Sequence, residues 1–247
     1  LYPEIGAEAE SALLQQALLD ARSDREEIEA TGCEMAVGGF LQLPLEWLSL
    51  GRSLQEFIFD LHDRPEKVKA ATRLMREDGA AMGIGMAQFV GVPRVFIGMS
   101  RSSPSFLSPA LVEEFVWPDF EYITRAAIDA GLTVLLHCDT NWTRAYDLFK
   151  RLPPRSCILE LDGDSDIFAA KEALGDHLCI MGDVPAYLLA FRGKDEVLAY
   201  CKRLITEVGR GGGFILSPSD HFFDAEAELL HAFADEARGC TYPTRQT

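Results

Sequence analysis

The segment TVLLHCDTNW, residues 133–142, carries the densest chemistry in the chain. An aliphatic run, Thr133 to Leu136, stops on an imidazole (His137), a thiol (Cys138) and a carboxylate (Asp139). Residues i and i+2 of an extended segment point the same way, so His137 and Asp139 share a face and Cys138 turns from it. Imidazole with carboxylate is a donor set for first-row metals. A catalytic metal needs about three protein ligands and one open position. Asp220 or His221 in SPSDH (217–221) could supply the third. The competing reading is plainer: His137 bonds a loop carbonyl, and Asp139 caps a helix that starts near Trp142.

Other residues with chemistry fall at the ends of further apolar runs. Glu160 and Asp162 close SCILELDGD, Asp183 follows HLCIMG, and Arg101 follows PRVFIGMS. Glu34 and Phe40 stand near the start and at the exit of CEMAVGGF (33–40). DGDSD (162–166) begins like a calcium loop, but Ile167 and Ala173 stand where the loop needs Gly and Glu. No EF-hand is therefore expected, and Asp166 reads as a helix cap. GRGGGF (209–214) precedes its strand and lacks GK[ST], so it reads as a helix stop and tight turn. Phe222-Phe223 reads as core.

The elements that must position these residues follow from periodicity. Strands are expected at 33–40, 93–99, 132–137, 156–161, 177–182 and 213–217. Helices are expected at about 8–23, 65–82, 109–130 with a kink at Pro118, 142–151, 165–174, 194–209 and 224–238. In the helix at 194–209, Val197, Leu198, Cys201, Leu204, Ile205 and Val208 share one face, the spacing of a helix packed on a sheet. Strand–helix repetition with right-handed crossovers gives a parallel α/β sheet. Its strand C-termini would gather the acids, the imidazoles and Arg101 at one rim, where barrel active sites lie. We read residues 1–247 as one domain, a (β/α)8 TIM-type barrel without its N-terminal βα units. Six units already use most of the chain, and there is no initiator Met. An open doubly wound sheet is the alternative.

Composition bounds the function. The chain has 247 residues, 48% hydrophobic, enough for one large core. Its formal net charge of −16 repels phosphate backbones and anionic membranes, so neither nucleic acid nor membrane is an expected partner. The six Cys show no CxxC pair. Cys33, Cys138, Cys157 and Cys179 lie in or beside apolar runs and read as reduced core residues of a cytoplasmic protein.

From about residue 93 to 237 the sequence resembles the uroporphyrinogen decarboxylase superfamily. The resemblance is carried by SRSSPSFLSPALVEEFVWP, AAIDAGLTVLLHCDTN, ILELDGDSDIFAAKEALGDHLCIMGDVPA and VLAYCKRLITEVGRGGGFILSPS. It implies a (β/α)8 barrel. The decarboxylase branch uses an Asp in a FDSW-like motif where this chain reads FIGMS, and an Arg-rich N-terminal segment not seen here. His221 lies near that branch's His, without the GHG-like surroundings. The second branch resembles corrinoid-linked methyltransferases, which bind zinc through His-x-Cys and a later Cys. Here His137 matches the His, Asp139 stands where the first Cys would be with Cys138 one place early, and Ser219 or Asp220 replaces the second.

The resemblance thus implies metal-dependent methyl transfer with zinc or another divalent ion on His137, Asp139 and Asp220. The alternate ligands are Ser219, His221 and Cys138. A corrinoid protein would present cobalamin, and a small molecule would give or accept the methyl group. Glu160, Asp162 and Asp183 would orient ligands or accept protons, and Arg101, Phe40 and Glu34 would meet substrate. A homodimer is a possible assembly. The alternatives are a tetrapyrrole carboxy-lyase and a barrel that binds a corrinoid or other ligand without turnover.

Overall fold

The structure, a computed structural model, describes residues 7–219 and 225–239. In chain order it runs α1 (Ala7–Ala30), β1 (Gly39–Phe40), α2 (Pro44–Arg52), α3 (Leu54–Asp63), α4 (Pro65–Val90) and β2 (Arg94–Met99). A short α5 (Pro109–Leu111), a π-helical segment (Val112–Val116) and α6 (Trp117–Asp129) lead to β3 (Thr133–Cys138). A 3₁₀ turn (Thr143–Ala145) and α7 (Tyr146–Phe149) lead to β4 (Cys157–Leu161), then α8 (Ile167–Leu174), β5 (Cys179–Val184), α9 (Ala186–Phe191), α10 (Lys194–Glu207), β6 (Phe214–Pro218) and α11 (Ala227–Gly239).

The six strands form one sheet in the order β1-β2-β3-β4-β5-β6, every pair parallel. A doubly wound sheet reverses its strand order at a switch point. This one never does, so the chain forms consecutive units of a (β/α) barrel. Alternation along each strand sorts the side chains. Val95, Ile97, Met99, Val134, Leu136, Cys138, Leu159 and Leu161 are buried, in a core completed by Phe120, Ile123, Phe149, Ile167 and Leu204 from the helices. The other parity of the first strands carries Phe40, Phe96 and His137. Their rings follow one another at 5.6 Å and 5.2 Å between centroids.

Several expected elements differ. The first strand shrinks to Gly39–Phe40, because α4 lies against its backbone. A Cβ on Gly39 would stand 2.4 Å from the Gly83 carbonyl oxygen, and one on Gly83 would stand 2.5 Å from that of Phe40. Cys33, upstream of that contact, is exposed, whereas Cys138, Cys157 and Cys201 are buried. The same close approach explains why α4 runs through its glycines to Val90, where Gly91 ends it in the left-handed region (φ 80°). Pro118 stands in the first turn of α6. A π-turn precedes it, in which the Trp117 N–H reaches back to the Val112 carbonyl. Helices α2, α3 and α9 were not expected, and the helix at 142–151 is only a 3₁₀ turn and α7. Phe222, Phe223 and Cys240 lie outside the described residues. Among the described residues no helix is long and apolar enough to cross a membrane.

Candidate functional site at the strand ends

His137 sits in register between Gly98 of β2 and Glu160 of β4. Its two ring nitrogens face opposite carboxylates. Nδ1 is 2.7 Å from Glu160 Oε2, and Nε2 is 3.0 Å from Asp139 Oδ1. Burial disfavours the charged ring, but hydrogen bonds to Asp139 and Glu160 outweigh it and raise the pKa to about 10. At neutral pH the ring is therefore an imidazolium held between two acids.

The alternation read in the sequence is present: His137 and Asp139 meet, and Cys138 is fully buried in the opposite core. Cys138 is thus no alternate ligand. Desolvation, reinforced by nearby carboxylates, pushes its thiol well above the ordinary value, which disfavours a thiolate. The capping role considered for Asp139 is also absent. Its carboxylate turns to His137, while its backbone carbonyl accepts from the Trp142 indole N–H at 2.8 Å.

The loops after β2, β3 and β4 are stitched together. Asp162 accepts from the Thr140 N–H at 2.6 Å and from the Asp164 N–H at 3.1 Å, and burial raises its pKa. The Thr140 hydroxyl donates to Ser103 Oγ at 2.7 Å, and Ser165 donates to the Thr140 carbonyl at 3.0 Å. These bonds hold Thr140 at φ 65°, a conformation that a β-branched residue rarely adopts. Asp162 therefore positions the loop that carries Asp139.

Glu46 of α2 plays the equivalent part for the loop after β2. Its buried carboxylate accepts from the backbone N–H groups of Ser100, Arg101 and Ser102 at 2.9, 3.1 and 2.8 Å, and from the hydroxyls of Ser100 and Ser102. Sequence reasoning missed Glu46, because its partners lie more than fifty residues away in a segment with no helical or strand period. Arg101, expected at substrate, donates from Nη1 to the Ser49 carbonyl at 2.8 Å instead, near the C-terminus of α2 where a cation is favoured.

The remaining expected residues divide. Phe40 is half exposed on the His137 side. Glu34 is not at the rim. It pairs with Arg94 at the first residue of β2, 3.1 Å away, because it precedes β1 and so lies at the N-terminal end of the sheet. Asp183 is buried and tied to α10 by the Tyr200 hydroxyl at 3.0 Å, away from the His137 cluster. Desolvation raises its pKa to about 7, although the Tyr200 hydrogen bond opposes this. Ser219 Oγ accepts from the Ala186 N–H at 3.1 Å and so caps the start of α9. Asp220 and His221 lie outside the described residues.

His137 Nε2 and Asp139 Oδ1 are an adjacent nitrogen–oxygen donor pair, with Glu160 on the far ring nitrogen. That is where the hydrogen-bond partner of a metal-bound imidazole stands. Among the described residues no group of three or more His, Cys, Asp or Glu side chains is arranged to hold a metal ion.

Residues 25–239 match the uroporphyrinogen decarboxylase (URO-D) family. The chain belongs to this family. Its fold is similar to that of a methyltransferase from Methanosarcina mazei, with a TM-score of 0.74 and 16% sequence identity over 90% of this chain. The aligned part is 63% of that structure, so the chain spans less than two thirds of its neighbour's length. No curated protein matches the chain.

Proposed function

We propose that this URO-D family member is an enzyme of methyl transfer, working with a corrinoid protein and a divalent metal held by His137 and Asp139. The observation that carries the reading is the ordered triad Glu160–His137–Asp139 at the end of β3. Glu160 fixes the ring through Nδ1, and Asp139 stands beside Nε2, where metal would replace a proton. A zinc ion there would lower the pKa of a thiol acceptor or polarise a methyl ether. The oxygen-rich pair makes a harder site than His-x-Cys. Asp220 is the proposed third ligand, with His221 as the alternate.

The protein's own groups supply the setting. Asp162 and Thr140 hold the Asp139 loop in place, and Glu46 holds the facing loop. The rings of Phe40 and Phe96 give the His137 cluster an apolar flank. The commitment of Arg101 to the Ser49 carbonyl supports methyl transfer over porphyrinogen decarboxylation, which needs cations for several substrate carboxylates.

Metal content by mass spectrometry, on protein purified without chelator, tests the reading. About one equivalent of a divalent ion is expected, lost in His137→Ala and in Asp139→Ala. Metal-free protein after reconstitution would overturn it and leave His137 as a half-buried imidazolium in a decarboxylase-like or ligand-binding barrel.

A further inference from the structure

A concavity lies on the β4–β6 side of the rim, with a volume of about 790 Å³. Asp164, Tyr187 of α9, and Glu196, Tyr200 and Arg203 of α10 help to line it. The direction of its hydrogen bonds restricts what it can hold. Tyr200 donates its one proton to Asp183, which is 3% exposed, so the phenol oxygen can offer only lone pairs to the cleft. The Asp164 carboxylate accepts no hydrogen bond among the described residues. Among the described residues Glu196 pairs only with Arg192 at 3.8 Å, a half-exposed pair that neutralises little.

Arg203 is the cation of the lining, and it is already engaged on two sides. Its Nε lies 3.0 Å from Glu207, and its guanidinium lies 4.0 Å over the Phe168 ring. The cleft therefore presents the carboxylates of Asp162, Asp164 and Glu196 against the guanidinium of Arg203, with an acceptor-only phenol and two electron-rich rings. Phenol faces attract quaternary and tertiary ammonium groups, and carboxylates add the counter-charge.

We propose that this cleft binds a small organic ammonium ion, with Asp164 and Tyr187 as principal contacts and Tyr200 as an acceptor held in orientation by Asp183. The cleft adjoins the His137 cluster through Asp162, which borders it and holds Thr140. Binding does not depend on the methyl-transfer reading, which would make such an ion a candidate methyl-bearing substrate.

Calorimetric titration of the full chain with three probes of similar shape tests this: choline, its uncharged carbon isostere dimethylbutanol, and the anion pivalate. Choline is expected to bind at least about tenfold more tightly than the alcohol, and pivalate not at all. Asp164→Asn and Tyr187→Leu, both at exposed positions, should each weaken choline about fivefold to tenfold. Equal binding of choline and alcohol, tighter binding of pivalate, indifference to both variants, or no binding of any probe would each overturn the proposal. Metal content of the same preparations is a separate readout, so the ammonium site and the His137 metal site can fail independently.

Discussion

Glu160 faces His137 across adjacent strands in direct register, its Oε2 2.7 Å from Nδ1. With Asp139 on the other ring nitrogen, Glu160 fixes the imidazole from the Nδ1 side. Glu160→Gln keeps the shape and removes the charge. The expected result is a metal affinity about 10- to 100-fold weaker than that of the parent, with metal still bound at saturation, measured by competition with a chromogenic chelator. Unchanged affinity would remove Glu160 from the site.

Asp183 gives a pH dependence of stability. Its pKa is about 7 in the folded chain and near 3.8 unfolded, so the folded state holds the proton more tightly between these values. Stability should then fall as pH rises from about 4 to about 7, by roughly 2–4 kcal/mol from this residue. Asp183→Asn should flatten that part of the curve. Urea denaturation of both proteins across the window checks this. An identical slope in both would show that Asp183 ionises normally.

Glu46→Ala leaves three backbone N–H groups and two hydroxyls without their acceptor in a buried corner. A loss of about 2–4 kcal/mol is expected from the unsatisfied donors. Amide exchange at Ser100–Ser102 should accelerate more than exchange in β3. If it does not, the carboxylate does not hold the loop.

Gly83→Ala sets two effects against each other. Alanine favours the helix by about 1 kcal/mol. The added Cβ would stand 2.5 Å from the Phe40 carbonyl oxygen, and backbone cannot swing away as a side chain can. The clash wins, and a net loss of about 1–3 kcal/mol is expected in a denaturant melt. A gain in stability would mean that α4 is free to shift.

What the sequence revealed follows the range of the interaction involved. Strand runs such as Val134–Leu136 and Cys157–Leu159 were legible because burial on both faces leaves a local apolar signature. The pairing of His137 with Asp139 was legible because a strand alternates with period two. The roles of Glu46, Tyr200 and Arg101 were not, since each depends on a partner from another element that only the folded chain brings close. Glu34 was misplaced for a related reason: β1 begins five residues after it, and the composition of 33–38 does not show that α4 displaces those residues from the sheet.

The stitching of Ser103, Thr140, Asp162 and Ser165 divides the mouth of the barrel into two halves with different histories open to them. The loops after β2, β3 and β4 form one interlocked body, so an insertion or exchange in one of them must be accommodated by all three. Among the described residues the stretch after β5 has one side-chain hydrogen bond to the end of β6, from the Ala186 N–H to Ser219, and it carries Tyr187 on a six-residue helix. New ligand preferences can be acquired on that side with the His137 cluster left undisturbed. Grafting experiments on this scaffold should begin at residues 185–193.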